Sequence, residues 1–167
     1  MTLGVSTPLD NMENSLDLVE RILEDADWSY ERDGYGSVHC IAPSRWGDLG
    51  GVFTVRDDPI ALHFSVTLDV KPTPSRRNEL NDLMMQINER MTLGYFDYWP
   101  GDDLIIFRHT IGMADWSEPE EAEVSAIIGA SMAAVEKYTP SMNYVIWAGK
   151  TASEAMEVAL FETVGEA

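Results

Sequence analysis

The stretch Ile60-Ala61-Leu62-His63-Phe64-Ser65-Val66-Thr67-Leu68-Asp69-Val70 alternates without a break. Ile60, Leu62, Phe64, Val66, Leu68 and Val70 are large and apolar, and the residues between them are small, polar or charged. Successive side chains of a strand point to opposite faces, so this period of two predicts a strand with one buried face and one wet face. His63 falls on the wet side. Sheets covered on one side only are antiparallel, whereas buried parallel strands read as continuous apolar runs. The stretch therefore selects an antiparallel sheet with one covered face.

Working outward, residues 28–32, 37–42 and 52–56 are predicted strands. Asp33-Gly34 turns the first into the second. A loop carrying Pro43, Gly47, Gly50 and Gly51 follows, and Asp57-Asp58-Pro59 leads into the alternating stretch. Such short connections join antiparallel neighbours in a meander. Two more strands, 95–99 and 104–111, flank the turn Pro100-Gly101-Asp102.

Helices surround these strands. Met12, Leu16, Val19, Ile22 and Leu23 recur at helical spacing over 9–27, with Asp10 and Glu13 at capping-box spacing. Its opposite face, Asp17, Glu20, Glu24 and Asp25, is expected in water. Thr73-Pro74 opens a second helix, striped by Leu80, Leu83, Met84, Ile87 and Met91 and capped by Gly94. Ser117 and Glu120 make a capping box for a third, striped by Val124, Ile127, Ile128, Met132 and Val135. Thr139-Pro140 restarts a helical segment that Gly149 ends. Thr151 and Glu154 box a last helix lined by Ala152, Ala155, Met156, Ala159, Leu160 and Val164.

The fold class is α+β: an antiparallel sheet, built from a meander of about three to four strands plus a two-stranded segment, with helices packed on one face. No linker divides the chain, so residues 1–167 read as one domain with a core over about 9–165.

Composition excludes several functions. The 167 residues carry 29 acidic and 11 basic side chains, a formal charge of −18. Such a chain repels nucleic acid and anionic membranes. No apolar run is long enough to span a bilayer. The first eleven residues lack the basic and apolar regions of a signal peptide, so a cytoplasmic location is expected. Cys40 is the single cysteine, expected as a buried structural thiol. No cofactor or metal is implied.

The catalytic motifs fail on context. Gly149-Lys150-Thr151 ends like a phosphate-binding loop, but the glycine required five residues earlier is Tyr144. A helix cap followed by an N-cap explains it better. Gly129-Ala130-Ser131 lies in a helix and lacks the second glycine of a nucleophile elbow. His39, His63 and His109 show no metal-ligand spacing. Asp57-Asp58 and Asp102-Asp103 sit in turns.

Aromatic residues stand out. Tyr95, Phe96, Tyr98 and Trp99 share one strand, so they must point to both faces, leaving some exposed or covered by a partner. Arg108 lies inside an apolar strand, where an intramolecular salt bridge is favoured over pairing with an acidic partner group. Met85 is one of nine methionines, flexible side chains that fill cores and also suit adaptable surfaces. Tyr95, Tyr98, Trp99, Arg108 and Met85 are the candidate protein-contact residues.

Four passages resemble the YbjN domain family of bacterial sensory transduction regulators, over residues 12–165. They are the opening helix into Trp28-Ser29-Tyr30-Glu31; Leu62-His63-Phe64-Ser65-Val66 with the helix containing Leu83 and Ile87-Asn88; Gly94-Tyr95-Phe96-Asp97 leading to Phe107-Arg108-His109; and Tyr144 to Lys150 with the tail Glu162-Thr163-Val164-Gly165. The resemblance implies a fold like the type III secretion chaperones, usually dimeric, and it implies no catalytic residues. The expected function is a non-enzymatic, chaperone-like or regulatory protein-binding module, a homodimer. Two alternatives are a small-ligand sensor, with its ligand between sheet and helices, and an enzyme using His63 or His109 with carboxylates.

Overall fold

The alternating stretch forms β4 (Ile60–Thr67), inside a six-stranded antiparallel sheet. The chain is described by a computed structural model over residues 7–165, with side chains described as far as Phe161. Residues 1–6, and the side chains of Val164 and of the tail 162–165, lie outside that description. The other strands are β1 (Tyr30–Arg32), β2 (Ser37–Ser44), β3 (Gly47–Asp57), β5 (Tyr95–Trp99) and β6 (Leu104–Gly112). Their order is β1-β2-β3-β4-β6-β5. The meander and the later hairpin are therefore one sheet, with β6 against β4 and β5 at the edge.

The predicted loop through Gly47, Gly50 and Gly51 is instead strand. β2 and β3 form a hairpin that turns at Arg45-Trp46 and pairs Ser44 with Gly47. Gly51 is required by packing: a Cβ there would meet Cys40 Sγ at 2.8 Å and Phe64 Cε2 at 3.3 Å. The small residue lets the sheet close over Cys40, whose thiol is buried and pushed up to about 11 by desolvation.

Helices α1 (Pro8–Asp25), α2 (Arg77–Arg90) and α3 (Glu121–Trp147) cover the face that carries Leu62, Phe64 and Val66, and α4 (Ala152–Gly165) packs on α2 and α3. These three are fully buried with Phe53, Ile105 and Phe107. Phe53 stacks on Phe64 at 4.2 Å, and Phe96 meets Phe107 edge-on at 4.9 Å. Burying such a side chain contributes roughly 2–3 kcal/mol, so this layer dominates the stability.

Several helix boundaries differ from the sequence expectation. α1 is capped by Thr7, not Asp10; Asp10 is the third residue of the box, its carboxylate accepting from the Thr7 N–H at 2.9 Å. Asp17 and Glu20 of its polar face accept hydrogen bonds from Arg32 of β1 at 2.6 and 3.2 Å, tying strand to helix. α2 is preceded by a 3-10 turn at Pro74–Arg76, and Thr73 makes no side-chain cap. Gly94 is not its cap. Gly94 has φ +73 and lies under β6, where a Cβ would come within 2.5 Å of the Phe107 ring. α3 starts after Glu120, which boxes with Glu123 and displaces the Ser117 start.

α3 also runs unbroken through Pro140. Proline has no N–H for the carbonyl four residues back, that of Glu136. The Trp46 indole donates to this carbonyl at 2.8 Å, and the Glu136 carboxylate accepts from the Arg45 N–H at 2.8 Å. The hairpin tip thus repairs the helix, a long-range compensation absent from local sequence. Thr151 and Glu154 do form the last capping box, so Gly149-Lys150-Thr151 joins two helices. In α4, Ala152, Ala155, Met156 and Ala159 are buried, but Leu160 is exposed.

Candidate functional site on the helix-free face

Register decides what stands on the other side of the sheet. Ser65 opposes Arg108, which opposes Tyr95; His63 opposes Thr54 on one side and Thr110 on the other. Alternation adds Asp97 and Trp99 from β5, Ile106 from β6, Arg56 from β3 and His39 and Ile41 from β2 to the same face. No helix among the described residues packs over it.

Three of the five predicted contact residues meet here. Tyr95 and Trp99 are 43% and 42% exposed. The Arg108 guanidinium lies between them, 5.6 Å from the Tyr95 ring and 5.8 Å from the Trp99 ring. Its Nη1 donates to Asp97 Oδ2 at 3.1 Å, the favoured intramolecular salt bridge. The same carboxylate oxygen accepts from Trp99 Nε1 at 3.0 Å. Asp97 was not singled out in the sequence, although the alternation Tyr95, Asp97, Trp99 places it there. The result is an aromatic pair with a fixed guanidinium between the rings. Cation–π contacts of this kind are worth about 0.5–1 kcal/mol at exposed sites, and they hold the rings upright.

The other two candidates lie elsewhere. Tyr98 points to the helix side, donating to Asp103 at 2.7 Å with Arg77 5.7 Å from its ring. This bond raises the Tyr98 pKa and lowers that of Asp103, so the second acid of Asp102-Asp103 does more than turn the chain. Met85 is 70% exposed on α2. It lines a 740 Å³ groove with Glu79, Asp82, Gln86 and Glu89 of α2 and Thr151 at the start of α4. A second cavity, 340 Å³ and almost wholly apolar, lies between Trp46, Pro140, Asn143, Tyr144 and Ala148.

The histidines do not converge. His63 is on the helix-free face, yet only 8% exposed, because Thr54, Thr110 and Arg108 close around it. It lies on the face predicted as wet, but its ring is shielded there by these neighbours. His109 pairs across from Phe64 on the covered face, its Nδ1 buried without a partner. His39 bonds to Asp33 at 2.9 Å. Burial, with help from Arg108 and Arg56, lowers the His63 pKa to about 4, and burial lowers that of His109. Among the described residues, no three His, Cys, Asp or Glu side chains form a metal-holding group.

The sheet edge at β5 is blocked at Phe96. Asn88 of α2 donates from Nδ2 to the Phe96 carbonyl at 2.9 Å and accepts the Phe96 N–H at 2.8 Å. Those two backbone groups are not available to an added strand.

The family model described as "YbjN: Putative bacterial sensory transduction regulator" matches residues 15–143, which include all six strands and end inside α3. Among solved structures, the chain is similar to "Crystal structure of YbjN, a putative transcription regulator from E. coli". The two are 15% identical, the match covers 72% of this chain and 85% of that one, and the TM-score is 0.51. At this identity the likeness is one of fold. No curated protein matches. Among the described residues no helix is long and apolar enough to cross a membrane.

Proposed function

We propose a function from one premise, that the chain belongs to the YbjN family: it is a non-enzymatic, cytoplasmic regulatory module that binds a protein partner on the helix-free sheet face. The observation that carries this reading is the Tyr95–Arg108–Trp99 stack. Aromatic and arginine side chains are enriched at the energetic centres of protein interfaces. Here Asp97 locks them in place before any partner arrives, which reduces the ordering cost of binding.

The module works as a homodimer whose contact lies on the helix side. A two-fold interface through the open face would bring Arg56 and Arg108 of one copy onto the same like-charged patch of the other. α4 supplies the alternative: it is apolar on most of its circumference, yet Leu160 and Phe161 stand 44% and 73% exposed.

Trp99→Ala and Arg108→Gln test the reading. Each weakens partner capture by about 2 kcal/mol, roughly thirtyfold, while the dimer persists in sedimentation. Unchanged capture by both variants refutes it. The 340 Å³ apolar pocket beside Trp46 supports a second reading, a small-ligand sensor. A metabolite that raises the melting temperature of the wild type but not of Tyr144→Ala would favour it.

A further inference from the structure

The centre of the same face, on β3, β4 and β6, carries a second arrangement with different chemistry. His63 Nδ1 lies 2.8 Å from Thr110 Oγ1, and Arg108 Nε lies 3.5 Å from His63 Nε2. An arginine can only donate, so Nε2 is the accepting nitrogen and the proton sits on Nδ1. Nδ1–H then donates to the Thr110 oxygen, which leaves the Thr110 hydroxyl proton directed elsewhere. Arg108 Nη2 makes no hydrogen bond among the described residues, and the Ser65 hydroxyl makes none either.

Arg56 completes the group. It stands on the same face as His63, one step along β3 from Thr54, and its charge reaches the imidazole. It is exposed and has no hydrogen-bond or ion-pair partner among the described residues, in a chain with 29 acidic side chains. Most other arginines are engaged: Arg32 with Glu13, Asp17 and Glu20, Arg76 with two carbonyls, Arg77 with Asp103. Among the described residues Asp97 is the one carboxylate bonded to the group, and it is already shared by Arg108 and Trp99.

We propose that Arg56, Arg108, Thr110 and Ser65, arranged around the neutral His63, form a binding site for an oxyanion, the phosphate or carboxylate group of a ligand or partner. The group offers two guanidinium donors and two hydroxyls, with a net positive field held against a strongly acidic molecule. Charge-assisted hydrogen bonds from arginine to such groups are the strong ones. The inference rests on the open face described above, but not on the protein-binding role proposed for it.

The test is titration of the full chain with inorganic phosphate at constant ionic strength, with chloride as the balancing anion. It is followed by nuclear magnetic resonance of the His63 ring and the Arg56 Nε–Hε signal. Saturable shifts at both groups are expected. Arg56→Gln should weaken the binding about tenfold or more, one charge-assisted hydrogen bond's worth, and Arg90→Gln, the same charge change on α2, should leave it unchanged. Absence of saturation, or equal binding by Arg56→Gln, overturns the site. Binding weakened equally by Arg90→Gln would also overturn it, since the anion would then respond to overall charge and not to this group. Failure here leaves the capture experiment above to stand or fall on its own.

Discussion

The two faces of the sheet are built from the same strands and behave as different materials. The covered face is a continuous apolar layer in which Phe53, Phe64 and Phe107 are fully buried. The open face is a mosaic of hydroxyls, two arginines, two histidines and two aromatic rings, tied by bonds that run across three strands. One face holds the fold, and the other leaves side chains available. The contrast is sharpest along β4, where Phe64 and His63 are neighbours in sequence. Both are buried, Phe64 by helices and His63 by the side chains of β3 and β6.

The largest expected effect belongs to the covered face. Phe64→Ala removes a ring stacked on Phe53 and leaves a cavity under the helices. It should cost about 3–5 kcal/mol in denaturant unfolding. A loss under 1 kcal/mol would mean that this layer does not hold the fold. Gly94→Ala comes next. Its Cβ would meet both Phe107 and the Arg108 carbonyl, at 2.5 and 2.8 Å, from a left-handed backbone. The expected cost is about 1–3 kcal/mol. Because Gly94 precedes β5, the same change should also disturb the Tyr95–Arg108 stack, visible as altered Trp99 fluorescence.

Acid should act through the buried histidines. Folding lowers the His63 pKa to about 4, from an ordinary value near 6.5. The unfolded chain therefore binds a proton in that window that the folded chain refuses. Stability is full above about pH 6.5, falls as pH drops through the window, and stops falling from this source below pH 4. The slope from one such group is at most ~1.4 kcal/mol per pH unit. His109, buried on the covered face, adds the same sign. His63→Gln should flatten the dependence in urea titrations at pH 4–6.5; an unchanged slope would assign the effect elsewhere. The smallest stability effects are expected on the open face. Trp99→Ala and Arg108→Gln should each change stability by less than about 1 kcal/mol, as exposed ion pairs and rings do, even though they abolish the stack.

The covered face was legible in the sequence because one rule, period two, settles it. Leu62, Phe64, Val66 and the aromatic split of Phe96 from Tyr95 follow directly. The open face was legible only in part. Tyr95, Trp99 and Arg108 could be nominated singly, but their meeting depends on register between β5 and β6, which no local pattern states. Asp97 was missed, although it lies between two nominated residues with the right alternation. His63 was placed on the correct face but its burial was missed, because that burial comes from Thr54 and Thr110 across the strands. Pro140 shows the same limit in a helix. It reads locally as a break, but the helix continues, and the indole of Trp46, far away in sequence, bonds the carbonyl that the proline leaves without its N–H. Likewise Gly51 reads as loop until the Cys40 and Phe64 side chains are placed against it.

The central claim is that the open face, and not the helix side, takes the protein partner. Site-specific photo-crosslinking tests it by placing p-benzoylphenylalanine at position 95 in one protein and at position 161 in another, both exposed in the native chain. Expressed in its own host, the position-95 protein should give a discrete adduct with a different protein, and the position-161 protein an adduct with a second copy of this chain. An adduct with another protein at position 161 alone, or no such adduct at either position, would contradict the account.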